Sequence, residues 1–279
     1  MKIVKLVLIG FTTTLLRAML QAIIPEGQKT VLEPSMFVNN GSMPFVFMIY
    51  GTIAYGIIAA IFLVLHENMS GNRIMKGLKF GILYSLLWIA YLFEPLPHVA
   101  MIDRITYPIA DSIALLVMGV LLGKFIAISS PIRKCGTTKH SLFNIGLVTT
   151  LFLVGRIIQY TIFNTYSSFI KSPIPSLAWV IGTGIVIGLV FDYINPLIDN
   201  KNIVAKSFVF GGITFGINLF AFNFFMPIVF SVGISDLFIR TILDIIFVTI
   251  GACIANRIEN KKLLNSRKIR VSSNSSNLI

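Results

Sequence analysis

Five ionisable side chains interrupt long apolar runs in this sequence: Arg17, Asp111, Arg156, Arg240 and Asp244. A charge in hydrocarbon costs about 2.5–3.5 kcal/mol or more, so each of the five needs an opposite charge, water or a ligand. Two chemistries follow. A static Arg–Asp pair can lock two helices together. Alternatively, arginines facing a hydrated cavity attract an anionic group, and desolvated aspartates take up protons and couple their movement to a solute.

Position along the chain favours pairing. Arg17 and Arg156 each lie about fifteen residues into a run entered from the N-terminal side, or ~20 Å deep at 1.5 Å per residue. Asp111 and Asp244 each follow Asp103 and Asp236 by eight residues on runs entered from the opposite side, or ~12 Å deep. In a ~30 Å core these depths coincide. The spacing predicts two Arg–Asp pairs, one in each half of the chain or exchanged between the halves. Asp236, Arg240 and Asp244 follow one another at intervals of four and so form one charged stripe on a helix.

Other polar positions are secondary candidates. Asn218 and Asn223 sit in a Phe-rich run, where they can bind a solute or make interhelical hydrogen bonds. Glu94, followed by Pro95 and Pro97, reads as a solvated turn ending a helix. His66, His98 and His140 fall near loop ends, far apart. The sequence contains no His-x-x-x-His pair, Ser–His–Asp set, phosphate-cradling glycine loop or Asp-rich prenyl-diphosphate motif. Hydrolytic and metal-dependent chemistry is disfavoured, and no cofactor is expected. Cys135 and Cys253 lack metal-ligand spacing and cannot make a disulfide framework.

The elements that carry these residues are membrane helices. Charged residues make up only 12% of the 279, against 56% hydrophobic, and mean hydropathy is +0.86. Soluble domains carry about a quarter charged residues, so this chain cannot cover a water-soluble globule. Apolar runs at 6–24, 43–65, 77–97, 105–127, 142–164, 175–197, 206–230 and 234–256 are each long enough to cross a bilayer. The first is expected to be a retained helix and not a cleaved signal, because Arg17 interrupts it and no small-residue cleavage site follows.

Of the 23 Lys and Arg, only Lys29, Arg104 and Lys171 fall in the loops opposite the N-terminus, and only Arg17, Arg156 and Arg240 fall deep within runs. All the others lie at the N-terminus, in alternate loops or the run ends that border them, or in the tail. That asymmetry places both termini in the cytoplasm of a cell-membrane protein. The net charge of +12 therefore reflects topology. Nucleic acid is not an expected partner, since the aromatics sit inside apolar runs and are not interleaved with Arg and Lys.

The halves repeat one another. Pro44, Gly51, Thr52 and Gly81 match Pro175, Gly182, Thr183 and Gly212, and Pro97 matches Pro227. Asp103, Asp111 and Lys124 match Asp236, Asp244 and Arg257, and Arg17 matches Arg156. The offset changes only at loops, as in a duplicated unit. The expected fold is all-α and polytopic: a four-helix unit at 1–127, a basic linker at 128–141, a second parallel unit at 142–257, and a basic, polar, mobile tail at 258–279. Gly77/Gly81, Gly119/Gly123, Gly184/Gly188 and Gly212/Gly216 have the small-xxx-small spacing of close helix packing.

The leading functional expectation is a small-solute carrier or permease with a charged site between the units, taking a small anionic or lipid-like ligand. Two alternatives stand beside it: a non-transport accessory or protective protein, and a membrane enzyme acting on a lipid or isoprenoid. The sequence sets no oligomeric state.

Overall fold

The computed structural model describes residues 2–24, 32–100, 102–129 and 142–276, with side chains described as far as 261. Lys29, Cys135, His140 and all but the first two residues of the linker at 128–141 lie outside the described residues. Among the described residues, eight helices are long and apolar enough to cross a membrane. In chain order they are α1 (Lys2–Ile23), α2 (Met43–Leu65), α3 (Arg73–Leu92), α4 (Asp103–Phe125), α5 (Leu142–Thr161), α6 (Pro173–Ile194), α7 (Ile203–Val229) and α8 (Ile234–Ser276). This is an all-helical, multi-pass membrane protein. The end of the bundle where α1 begins is called proximal below, and the opposite end distal.

Local chemistry sets the boundaries. Asn72 caps α3, its Oδ1 accepting from the Met75 amide at 2.8 Å, and Asn202 caps α7 in the same way. A side-chain acceptor satisfies amides that have no intrahelical partner. Pro44 and Pro173 occupy first-turn positions of α2 and α6, where the missing N–H costs nothing. The third span corrects the sequence expectation of 77–97. It starts at Arg73 and stops at Leu92, because Pro95 and Pro97 cannot continue a helix.

The last helix also differs from expectation. A mobile tail was expected from residue 258, yet α8 runs on to Ser276. No Gly or Pro follows Gly251, so a helix already nucleated in the membrane can propagate one residue at a time.

Neighbouring helices pair as α1–α2, α1–α4 and α3–α4 in the first half, and as α5–α6, α5–α8 and α7–α8 in the second. Between the halves, α3 packs on α6 and α2 on α7. The tightest seam is α3–α4. A Cβ on Gly77 would collide with the Gly119 carbonyl, and one on Gly123 would lie 2.7 Å from the Arg73 carbonyl. Only glycine permits that approach, and in lipid close backbone packing replaces the hydrophobic drive between helices. Gly184 and Gly188 similarly receive Thr149 and Ile145 of α5.

Polar contacts between the halves concentrate from mid-bundle to the distal end. Tyr84 donates to the Thr214 carbonyl at 3.0 Å and Trp88 Nε1 to Asn218 Oδ1 at 2.9 Å. Trp179 Nε1 donates to the Ala90 carbonyl at 2.6 Å, and Tyr50 OH to the Ala221 carbonyl at 2.9 Å. At the distal surface the α1–α2 connection lies along the end of α7: Ser35 N donates to Val229 O at 3.0 Å, and Ser231 N to Glu33 O at 2.8 Å. At the proximal end Asn68 Nδ2 donates to the Leu197 carbonyl at 2.8 Å.

Candidate functional site

Packing α1 against α4 brings Arg17 to Asp111. Nε meets Oδ1 at 2.5 Å and Nη2 meets Oδ2 at 3.0 Å, a bidentate fork with both side chains buried. The fork matches the carboxylate plane, which makes this the strong form of the interaction. Arg17 Nη1 has no hydrogen-bond partner. The guanidinium instead lies over three rings, with its carbon 4.1 Å from the Phe225 centroid, 5.2 Å from Trp88 and 5.5 Å from Phe47. Ring faces carry negative quadrupole density and stabilise a desolvated cation.

Packing α5 against α8 builds the matching pair and extends it. Arg156 Nη2 reaches Asp244 Oδ2 at 2.6 Å, and Arg156 sits over Trp179, Phe152 and Tyr91. The other Asp244 oxygen accepts from Gln159 Nε2 at 2.7 Å, and Tyr91 OH donates to Oδ2 at 3.1 Å. Glu94 corrects the sequence reading most sharply. It is no solvated turn: only 5% exposed, it holds Arg156 Nη1 through Oε1 at 3.2 Å and Arg240 Nη2 through Oε2 at 2.5 Å. The Glu–Pro turn aims the carboxylate inward, where two guanidinium groups repay its desolvation.

The five leading sequence candidates thus fall into two charge-balanced clusters. The first holds Arg17 and Asp111, and the second Arg156 and Arg240 with Asp244 and Glu94. α3 links them. Trp88 and Tyr91 stand three residues apart on α3 and so share one face, and Glu94 follows in the turn just past its end. Trp88 touches Arg17, while Tyr91 and Glu94 serve the arginines of the second half. Phe225 of α7 reaches the other way, onto Arg17.

Asn218 and Asn223 make interhelical bonds, to Trp88 and to Thr241 Oγ1 at 2.7 Å. Asp236 lies on α8 with Arg240 and Asp244, and its Oδ1 accepts from the Tyr166 amide at 3.0 Å. Sequence reasoning missed Gln159 and Tyr91. Gln159 stands three residues after Arg156 on the same helix, and Tyr91 three before Glu94 in the last turn of α3, and that spacing was the available signal.

A polar cover closes the distal side. His98 Nδ1 and Tyr166 OH are 3.3 Å apart, and the His98 ring packs 5.4 Å from Phe230. Burial, then the positive charge of Arg240, lowers the His98 pKa to about 4, so the imidazole stays neutral at pH 7. Among the described residues, no group of His, Cys, Asp or Glu could hold a metal ion.

No family model, curated protein or solved structure matches this chain.

Proposed function

We propose that this protein is a small-solute carrier of the cell membrane, with both termini cytoplasmic. It is built from two tandem parallel four-helix units, residues 1–127 and 142–257. The ordered Pro, Gly, Asp and Arg matches support the duplication, and so does the packing. Each of α1–α2, α1–α4 and α3–α4 has its counterpart in α5–α6, α5–α8 and α7–α8, and α3–α6 answers α7–α2. Ala90 and Ala221, 131 residues apart, each accept through their carbonyls from an aromatic donor of the other unit. Such symmetry corresponds to an axis along the membrane normal.

The observation that carries the carrier reading is Glu94. Arg17–Asp111 and Arg156–Asp244 each join helices of a single unit, so they hold when units move as rigid bodies. Glu94 of the first unit grips Arg156 and Arg240 of the second, so it must let go if the units rock apart. With Glu94 withdrawn, two guanidinium groups face a single carboxylate, Asp244. The excess positive charge selects an anionic solute, which displaces Glu94 as its counter-ion. Arg17, Asp111, Arg156, Arg240 and Asp244 then form the charged layer around the path, with Glu94 as its outer gate. The intra-unit pairs by themselves fit a static accessory protein equally well, and the gate distinguishes the two.

The test uses a chain carrying Cys135→Ser and Cys253→Ser, with one cysteine introduced at Thr214, buried midway between the units. A membrane-impermeant thiol reagent is applied separately to each face of sealed vesicles. Asn40→Cys and Ser70→Cys, at exposed distal and proximal positions, report orientation. A carrier gives faster labelling of Thr214→Cys from the Asn40 face when Glu94→Gln is added. Labelling unchanged from both faces contradicts the gate, and reaction of Ser70→Cys from outside reverses the topology.

A further inference from the structure

A cleft of about 410 Å³ opens on the flank of the bundle between α2 and α7. Tyr50, Ile53 and Ile57 of α2 line one side, and Gly212, Ile217 and Phe220 of α7 the other. We infer that this cleft is a binding site for one acyl chain of a membrane phospholipid, entering sideways from the distal leaflet.

Depth supplies the first reason. Tyr50 lies seven residues from the distal start of α2 and Ile57 seven further, so the cleft runs from ~10 to ~20 Å below that end. It lies wholly within membrane-spanning helices, and what surrounds its mouth is hydrocarbon. Polarity supplies the second. No lining residue is charged, and the one hydroxyl, on Tyr50, is already donated to the Ala221 carbonyl. A polar solute would lose its hydration there and find no partner, at a cost of several kcal/mol on the order of 2–7. An alkyl chain loses nothing. The volume falls within the ~300–1,000 Å³ of small-molecule sites.

The wall on α7 supplies the third. Residues Val209–Ile217 are π-helical, a rare geometry that is frequent at functional sites. Gly212 and Gly216 leave that wall without side chains. The corresponding contact of the other pair, α3 on α6, is stitched by both Trp179 and Thr183 on the Ala90 carbonyl. Only Tyr50 does the same for Ala221, so the two inter-unit seams differ. The site is read from this arrangement of the two units and does not rest on the gate.

The probe is a phospholipid carrying a diazirine near the end of one acyl chain, at trace level in phosphatidylethanolamine–phosphatidylglycerol vesicles containing the full-length protein. After irradiation, adducts are mapped by peptide mass spectrometry. Adducts on Ile53, Ile57, Ile217 and Phe220 should exceed those on Ile181 and Ile185 of α6 several-fold. The α6 pair is a fair control because it is as exposed to lipid, at 44% and 43%, as Ile57 at 45%, and lies ~12 and ~18 Å below the distal start of its helix. Ile53→Trp with Ile57→Trp should abolish the excess, while Ile185→Trp should leave it intact. Adduct densities equal on cleft and control residues overturn the inference, and that comparison needs only the unmodified chain. In a chain carrying Cys135→Ser and Cys253→Ser, an Ile57→Cys protein that forms a disulfide-linked dimer on oxidation also overturns it, by naming a second copy as occupant.

Discussion

Glu94 Oε2 and Arg240 Nη2 lie 2.5 Å apart although 146 residues separate them in the chain. They belong to different halves of the protein, and Arg156 shares the same carboxylate. Replacing Glu94 with Gln leaves two buried guanidinium groups with one carboxylate between them. Breaking a buried ion pair from one side costs roughly 3–5 kcal/mol, so Glu94→Gln should lower the melting temperature in detergent substantially. Adding Arg240→Met should restore part of the loss. A Glu94→Gln protein as stable as the parent would mean that the carboxylate holds nothing.

Arg17 and Asp111 should behave as one unit. Arg17→Met and Asp111→Leu should each be strongly destabilising, and the double variant should be better than the worse of the two, because well-packed apolar residues replace a buried pair at little cost. A double-mutant cycle read by thermal unfolding gives the coupling. Additive losses would contradict a pair built as a bidentate fork.

Much of this was legible in the residues. Charged side chains are so costly in hydrocarbon that counting depth from opposite faces gave two Arg–Asp pairs, and the helix packing decides that each lies within one half, Arg17 with Asp111 and Arg156 with Asp244. Glu94 was not legible. Next to Pro95 and Pro97 it has the local pattern of a solvated turn, and its partners on α5 and α8 lie 62 and 146 residues away. Only the packing of α3 across the other half brings them together. The π-helical stretch of α7 was equally hidden, because its residues are those of any apolar span. The helical extension of α8 escaped because a charged composition says how a segment is solvated, not whether a preceding helix propagates into it.

His98 sets a pH dependence. Burial and Arg240 lower its pKa from 6.5 to about 4, so between those values the unfolded chain binds a proton that the native state does not. Stability should therefore be unaffected by this group above pH 6.5 and should fall as pH drops from 6.5 to 4, levelling below that. Melting curves across this range should show a smaller pH slope for His98→Gln. An unchanged slope would place His98 in water.

The α3–α4 seam should tolerate no side chain. Gly77→Val drives a Cβ onto the Gly119 carbonyl, whereas a Cβ on Gly182 meets nothing within 4 Å. Overpacking typically costs ~1–3 kcal/mol where neighbours can shift, and more against backbone. Gly77→Val should sharply reduce the yield of folded protein and its melting temperature, and Gly182→Val should leave both near the parent. Comparable behaviour of the two would remove backbone contact as the reason for the glycines.

The most direct measurement on the gate is the distance between the units. In a background lacking Cys135 and Cys253, spin labels at Asn40 and Lys171 report the distal end, and labels at Ser70 and Lys201 the proximal end. All four positions are exposed. Pulsed electron–electron resonance on protein in nanodiscs should give a longer or broader Asn40–Lys171 distance when Glu94→Gln is introduced, with the Ser70–Lys201 distance changing in the opposite sense. Distance distributions that are single, narrow and the same in parent and variant at both ends would contradict a rocking carrier and leave a rigid bundle.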